Sequence, residues 1–285
     1  MKKIYIILAT LMLTITAMAQ TLNVRMGSIT YQFPASQTGE MNFANGETLT
    51  IMGKTVTLNE IDEMTVNDST VQDNAVSITY SGTTATVIVA GNVAQYVSPT
   101  VNGAHVNIEQ TNTADVDGDE ITYILSGTTT NGSFSLNGSY KCTIALDGLT
   151  MTNPSGACLN ITNGKRIQIS VKKNTESTLT DGANGSHSGC IYSKGQIQLQ
   201  GNGTLNVVGK TKHGIKSGDY IRIKNLTLNI NSAKKDGISC NEYFLMQSGT
   251  VSIKGVGDEG KASHRTGLSV GEKRSFLEHL HRSLC

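Results

Sequence analysis

Apolar and polar residues alternate along most of this chain, in runs of four to eight that end at Gly, Asn or Asp. That period of two predicts short β-strands joined by turns. From Gly203 to Gly260 the pattern also repeats: GTLNVVGKTKHGI, then LTLNINSAKKDGI, then GTVSIKGVGDEG. Thr204, Thr227 and Thr250 stand 23 residues apart, as do Gly214, Gly237 and Gly260. The pairs Leu205/Val207, Leu228/Ile230 and Val251/Ile253 keep the same register. A fixed period without helical spacing between its strands predicts a solenoid, most simply a parallel β-helix whose coils stack at about 4.8 Å.

Upstream, TLNVRMG, SITYQF, ETLTIMG, KTVTLNE, VSITYSG and TATVIVAG predict a small β-sandwich-like domain over residues 20–92. Coils are expected over 93–260, with HVNIEQ, ITYILSG, GSFSLNG and KCTIALDGLTMTN as early strands. Gly156-Ala157-Cys158, Gly189-Cys190, Gly214-Ile215 and Gly237-Ile238 read as one recurring turn. In that alignment Cys158 and Cys190 share the position of Ile215 and Ile238. A buried apolar stack is favoured there, with a disulfide between adjacent coils as the alternative.

The first 19 residues read as a secretion signal. Lys2 and Lys3 precede the apolar run Ile4 to Ile15, and Ala17-Met18-Ala19 precedes Gln20 as a cleavage site. No cysteine stands directly after that point, so a secreted or periplasmic protein without a lipid anchor is expected. Cleavage takes two of the 23 basic residues and none of the 22 acidic ones, turning a formal charge of +1 to −1. Nothing in that balance draws the protein to nucleic acid or a membrane surface. The five cysteines form no C-x-x-C pair, which argues against a zinc site.

From about Thr21 to Gly260 the chain resembles a bacterial family of secreted carbohydrate-binding domain proteins. The likeness rests on LSGTTTNGSFSLNGSYKCTIALDGLTMTNPSGACLNITNGKRI, GNGTLNVVG, KDGISCNEYFLMQSGTVSI and GDEG, with YQFPASQTG and LTIMGKTVTL upstream. It implies a right-handed parallel β-helix, bound calcium, and non-catalytic binding of plant cell-wall polysaccharide, namely acidic pectic sugars and/or cellulose. The tail 261–285 departs from that pattern: it turns basic, carries three histidines and loses its alternation. A frameshift or premature end is one account of it. The other is a capping helix with Phe276, Leu277, Leu280 and Leu284 on one side.

Stacking converts the period into ladders. Tyr220 and Tyr243 fall one coil apart, and the better inward residues are Ile221/Ile223 and Phe244/Met246. The tyrosines are therefore expected outside, as a platform for sugar rings or as a stabilising cross-strand stack. Arg222, Lys224 and Lys212 belong to a basic cluster suited to uronate carboxylates, or simply to a soluble surface. His213, Asp236 and Glu259 occupy one repeat position, with Asp258 adjoining. Carboxylates one coil apart repel unless a cation lies between them. Asp236, Asp258 and Glu259 are the calcium ligands that this spacing and the resemblance favour, and solvated Asp-Gly turns are the alternative. Asp115-Val116-Asp117-Gly118-Asp119-Glu120 begins like a calcium loop but lacks its remainder, and a solvated acidic turn is the plainer expectation. His213-Gly214 and Arg222-Ile223-Lys224 are reminiscent of pectin-hydrolysing β-helix enzymes, yet Lys212 replaces a glycine and the motifs that supply acid and base are absent. A pectate lyase or polygalacturonase-like enzyme and a structural, adhesin-like protein remain as alternatives.

Overall fold

The computed structural model describes residues 20–257 and 263–264. It is nearly all β, with a β-solenoid of about 6 turns. Three faces wind around one core. The first carries Ile167–Val171, Ile197–Gly201, Ile221–Lys224 and Phe244–Met246. The second carries Glu176–Asp181, Thr204–Gly209, Leu226–Ala233 and Gly249–Ile253. The third carries Leu159–Ile161, Gly189–Ser193, His213–Ser217 and Ile238–Cys240. Every pairing between successive coils on these faces is parallel.

The register is that of the sequence repeat. Thr204 pairs with Thr227 and Thr227 with Thr250. Alternation turns every second side chain inward. Ile144, Ile169, Leu199 and Ile223 thus stack coil on coil, as do Cys142, Ile167, Ile197, Ile221 and Phe244. All are buried, and each such aliphatic side chain contributes roughly 1.5–3 kcal/mol by leaving water.

Long Cys142–Asn153 crosses from the first face to the second, which merges them into one 15-stranded sheet. At that corner the chain enters the left-handed region, at Gly127 (φ 88°) and Gly201 (φ 108°) among others. Side chains are excluded there: a Cβ would sit 2.1 Å from Tyr80 O at Gly127 and 2.1 Å from Val171 O at Gly201.

The N-terminal strands continue the solenoid's own sheet. Ala75–Gly82 pairs in parallel with Thr122–Thr129 and antiparallel with Thr84–Ala90. Beyond it follow Ile29–Pro34, Thr21–Met26 and Glu63–Asn67. On the third face Ala104–Gln110 makes the same change of direction, parallel to Gly132–Gly138 and antiparallel to Val97–Asn102. The short helix Gly91–Tyr96 joins Thr84–Ala90 to Val97–Asn102. Asn42–Ala44, Thr48–Ile51 and Lys54–Thr57 form a separate three-stranded sheet whose Leu49, Ile51 and Val56 join the common core.

The turn alignment drawn from the sequence is corrected by one residue. Leu159 and Ile191 stack with Ile215 and Ile238, so Cys158 and Cys190 align with Gly214 and Gly237. These segments lead into or open strands of the third face. Both cysteines are buried and free.

Candidate functional site

On the first face, outward positions stack as regularly as inward ones. Ile197 N donates to Tyr220 O and Ile221 N to Tyr243 O, which sets both tyrosines at the entrance to neighbouring strands. Just before them the chain turns at Ser217-Gly218-Asp219. Asp219 N donates to Ser217 Oγ (3.1 Å), and Tyr220 N donates to Asp219 Oδ1 (2.7 Å). The rings lie 4.8 Å apart at 11°, a parallel stack, and Tyr243 keeps 38% of its surface exposed.

Two residues along the strand, on the same outward side, Arg222 stands opposite Gln198. Gln198 joins the cation to the aromatic pair. Its Nε2 donates to Tyr220 Oη at 2.9 Å, and its Oε1 accepts from Arg222 Nη2 at 2.5 Å. With 8% of its surface exposed, it is held by packing, and it holds both groups. The result is a platform of two rings with a guanidinium at its side. Lys224 extends the positive edge and is exposed.

Lys212 is not part of this arrangement. The extended strand His213–Ser217 separates it from Tyr220 by roughly 16 Å of chain. It lies instead with Lys216 and Lys235 around His213. His213 Nδ1 is 3.1 Å from Asp236 Oδ2. Burial lowers the His213 pKa, the Asp236 charge opposes that shift, and the three lysines reinforce it. Asp236 is buried. Asp258 and Glu259, its proposed partners, lie outside the described residues, as do the leader 1–19 and Cys285. Among the described residues no group of three or more His, Cys, Asp or Glu is arranged to hold a metal.

The acidic segment 115–120 is a tight hairpin turn, with Val116 and Asp119 bridged and Asp117 and Gly118 at positive φ. Its carboxylates meet cations: Lys141 Nζ lies 3.2 Å from Asp115 and 3.1 Å from Glu120, which also accepts from Arg166.

Gln198 escaped the sequence reading because the coils before the regular repeat differ in length. Its column runs Gln168, Gln198, Arg222, at steps of 30 and 24 residues. A fixed period of 23 cannot align them. The signal was present in the apolar frame: Ile167/Ile169, Ile197/Leu199 and Ile221/Ile223 each flank the outward residue.

The fold and this face define a β-solenoid with an aromatic and cationic outer platform. A family described as carbohydrate-binding domain-containing protein matches residues 102–271, and the chain belongs to that family. A carbohydrate-binding domain-containing protein of Acetivibrio thermocellus is 26% identical over 111 residues, covering 35% of this chain and 39% of the relative. The chain thus spans well under half the length of that relative. A solved structure described as a polysaccharide lyase-like protein from C. thermocellum, in a gadolinium derivative, matches with a TM-score of 0.54 at 18% identity. That likeness covers 70% of this chain and 97% of the other, and at such identity it concerns the fold.

Proposed function

We propose that this protein is exported and binds an acidic plant cell-wall polysaccharide on its first face, without catalysing a reaction. The observation that carries the proposal is the outward Tyr220–Tyr243 stack, with Tyr243 exposed, beside an Arg222 already oriented by Gln198. Rings present a flat apolar surface to the sugar ring, and the guanidinium makes paired hydrogen bonds to a carboxylate. Repetition at the strand spacing suits a polymer, whose own groups recur. The family supplies the carbohydrate, and the chemistry of the platform favours an acidic one over neutral cellulose.

Calcium belongs to the same proposal, at the turn of Asp236. Calcium takes about six to eight oxygen ligands, so Asp236 would need Asp258, Glu259 and backbone carbonyls to complete a shell.

A lyase is the second reading, favoured by the polysaccharide lyase-like fold neighbour. Such an enzyme would need Arg222 as a base. Its hydrogen bond to Gln198 Oε1 stabilises the charged guanidinium and works against that role.

The test is retention on insoluble pectate and on cellulose, with and without EDTA, with soluble products assayed in the same tubes. Pectate retention that EDTA weakens, without sugar release, is expected. Tyr243→Ala should weaken retention about tenfold. Release of unsaturated ends would replace binding with catalysis. A folded protein retained on neither polymer would refute both readings.

A further inference from the structure

The tyrosine pair is one end of a longer outward column. Ile167 N donates to Gln196 O, and Ile197 N donates to Tyr220 O. These bonds set Arg166, Gln196, Tyr220 and Tyr243 on four successive coils. Lys141 precedes them, because Cys142 pairs with Ile167. From Lys141 to Tyr243 is four strand steps, about 19 Å along the solenoid axis.

The far end of this column has its own character. Tyr140, Lys141, Lys165 and Arg166, with Thr113 and Ser139, line an open concavity of about 450 Å³. Lys141 Nζ lies 5.5 Å from the centre of the Tyr140 ring. The acids beside them fix two of these cations in place and offset their charge, so an anion would be met by Lys165 and by the donors that the guanidinium retains. Asp115 and Glu120 hold Lys141, Glu120 holds Arg166, and Lys165 stands exposed. An aromatic ring next to an oriented guanidinium thus occurs at both ends of one column. Between them lies the amide of Gln196, suited to a hydroxyl group.

We propose that Tyr140, Lys141, Lys165 and Arg166 form a second anion-binding subsite, and that a polyuronate chain lies along the solenoid axis across both. The proposal rests on the acidic-polysaccharide function proposed above and adds ligand length and direction to it. A pyranose ring is about as long as the strand spacing, so roughly four to five linked sugars reach from one end to the other. An arginine retains free donors after one carboxylate is bound, having five in all, so Arg166 can serve Glu120 and a uronate together. A chain that reaches both subsites gains the second contact at high effective concentration.

The experiment is calorimetric titration with galacturonic acid oligomers of increasing length, and with neutral cello-oligomers of matching length. Wild-type affinity is expected to rise at least about tenfold between the trimer and the pentamer and then level off. Arg166→Gln and Tyr140→Ala, each checked for an unchanged melting temperature, should abolish that rise and leave dimer affinity unaltered. An affinity that levels off at the dimer, or variants that bind the pentamer like wild type, would overturn the second subsite while leaving the tyrosine platform intact. An equal rise with cello-oligomers would overturn its anionic character. If no length binds, and Tyr243→Ala leaves pectate retention unchanged, the underlying function falls and this proposal with it.

Discussion

Gln198 is a place where stability and binding can be separated by two substitutions. Gln198→Ala removes the donor to Tyr220 Oη and the acceptor of Arg222 Nη2 together. Hydrogen bonds contribute about 0.5–1.5 kcal/mol when neutral and about 1.5–3 kcal/mol to a charged group. Tyr220 and Arg222 are only half-buried and can turn to water, so the net loss should be about 1–2 kcal/mol. For a chain of this size that lowers the melting temperature by roughly 2–8 °C. The freed Arg222 must then be ordered again on binding, at about 0.5–1.5 kcal/mol, a two- to tenfold rise in Kd, roughly. Gln198→Glu behaves differently. It keeps an oxygen for Arg222, and Tyr220 can donate in its turn, so stability is maintained. The new carboxylate neutralises the guanidinium and faces the ligand's own charge. Pectate affinity should fall by about tenfold or more, and any affinity for cellulose should change little. Melting curves and titrations against both polymers measure each effect. Wild-type affinity of Gln198→Glu for pectate would refute the assignment of Arg222 to a ligand carboxylate.

Gly201→Ala should cost at least about 2 kcal/mol in a urea denaturation, because positive φ and the close approach of Val171 O both exclude a side chain. His213 is held below its ordinary pKa of 6.5 chiefly by burial. The unfolded chain therefore takes up a proton as pH falls through 6.5 while the folded chain resists it, so stability declines below that pH. In His213→Asn the urea midpoint should vary less between pH 6.5 and about 5, and an unchanged slope would show that other groups govern acid sensitivity. Cys142, Cys158, Cys190 and Cys240 are buried thiols outside any disulfide, and burial raises the Cys142 and Cys190 thiol pKa values. Mass spectrometry after alkylation should find these four unlabelled in native protein and labelled in denaturant, and a disulfide-linked peptide joining Cys158 to Cys190 would contradict the core assignment.

Inward positions were legible in the sequence wherever the coil length was constant. Leu205, Leu228 and Val251 stack as their spacing requires, and so do Tyr220 and Tyr243. Alternation alone also located most of the N-terminal strands, though not Asn42–Ala44 or Glu63–Asn67. It did not disclose that Ala75–Gly82 takes a coil of the solenoid as its neighbour, because a strand's sequence does not name its partner. Two other features escaped for related reasons. Lys212 was grouped with Arg222 by nearness in sequence, although an intervening strand carries it to another corner. Gln198 has no conspicuous chemistry of its own, and its value comes from the two groups it joins.

The change of direction at Ala75–Gly82 and Ala104–Gln110 bears on how copies of the protein meet. A bare parallel coil offers a row of unsatisfied amides and carbonyls, on which another chain can add itself. Here hairpins occupy that row on two faces, since Thr84–Ala90 and Val97–Asn102 run back antiparallel and take up its hydrogen bonds. At this end of the rod the sheet edges are therefore the antiparallel-paired strands Glu63–Asn67 and Val97–Asn102, and not a bare parallel coil on which the coil of a second copy could continue in register.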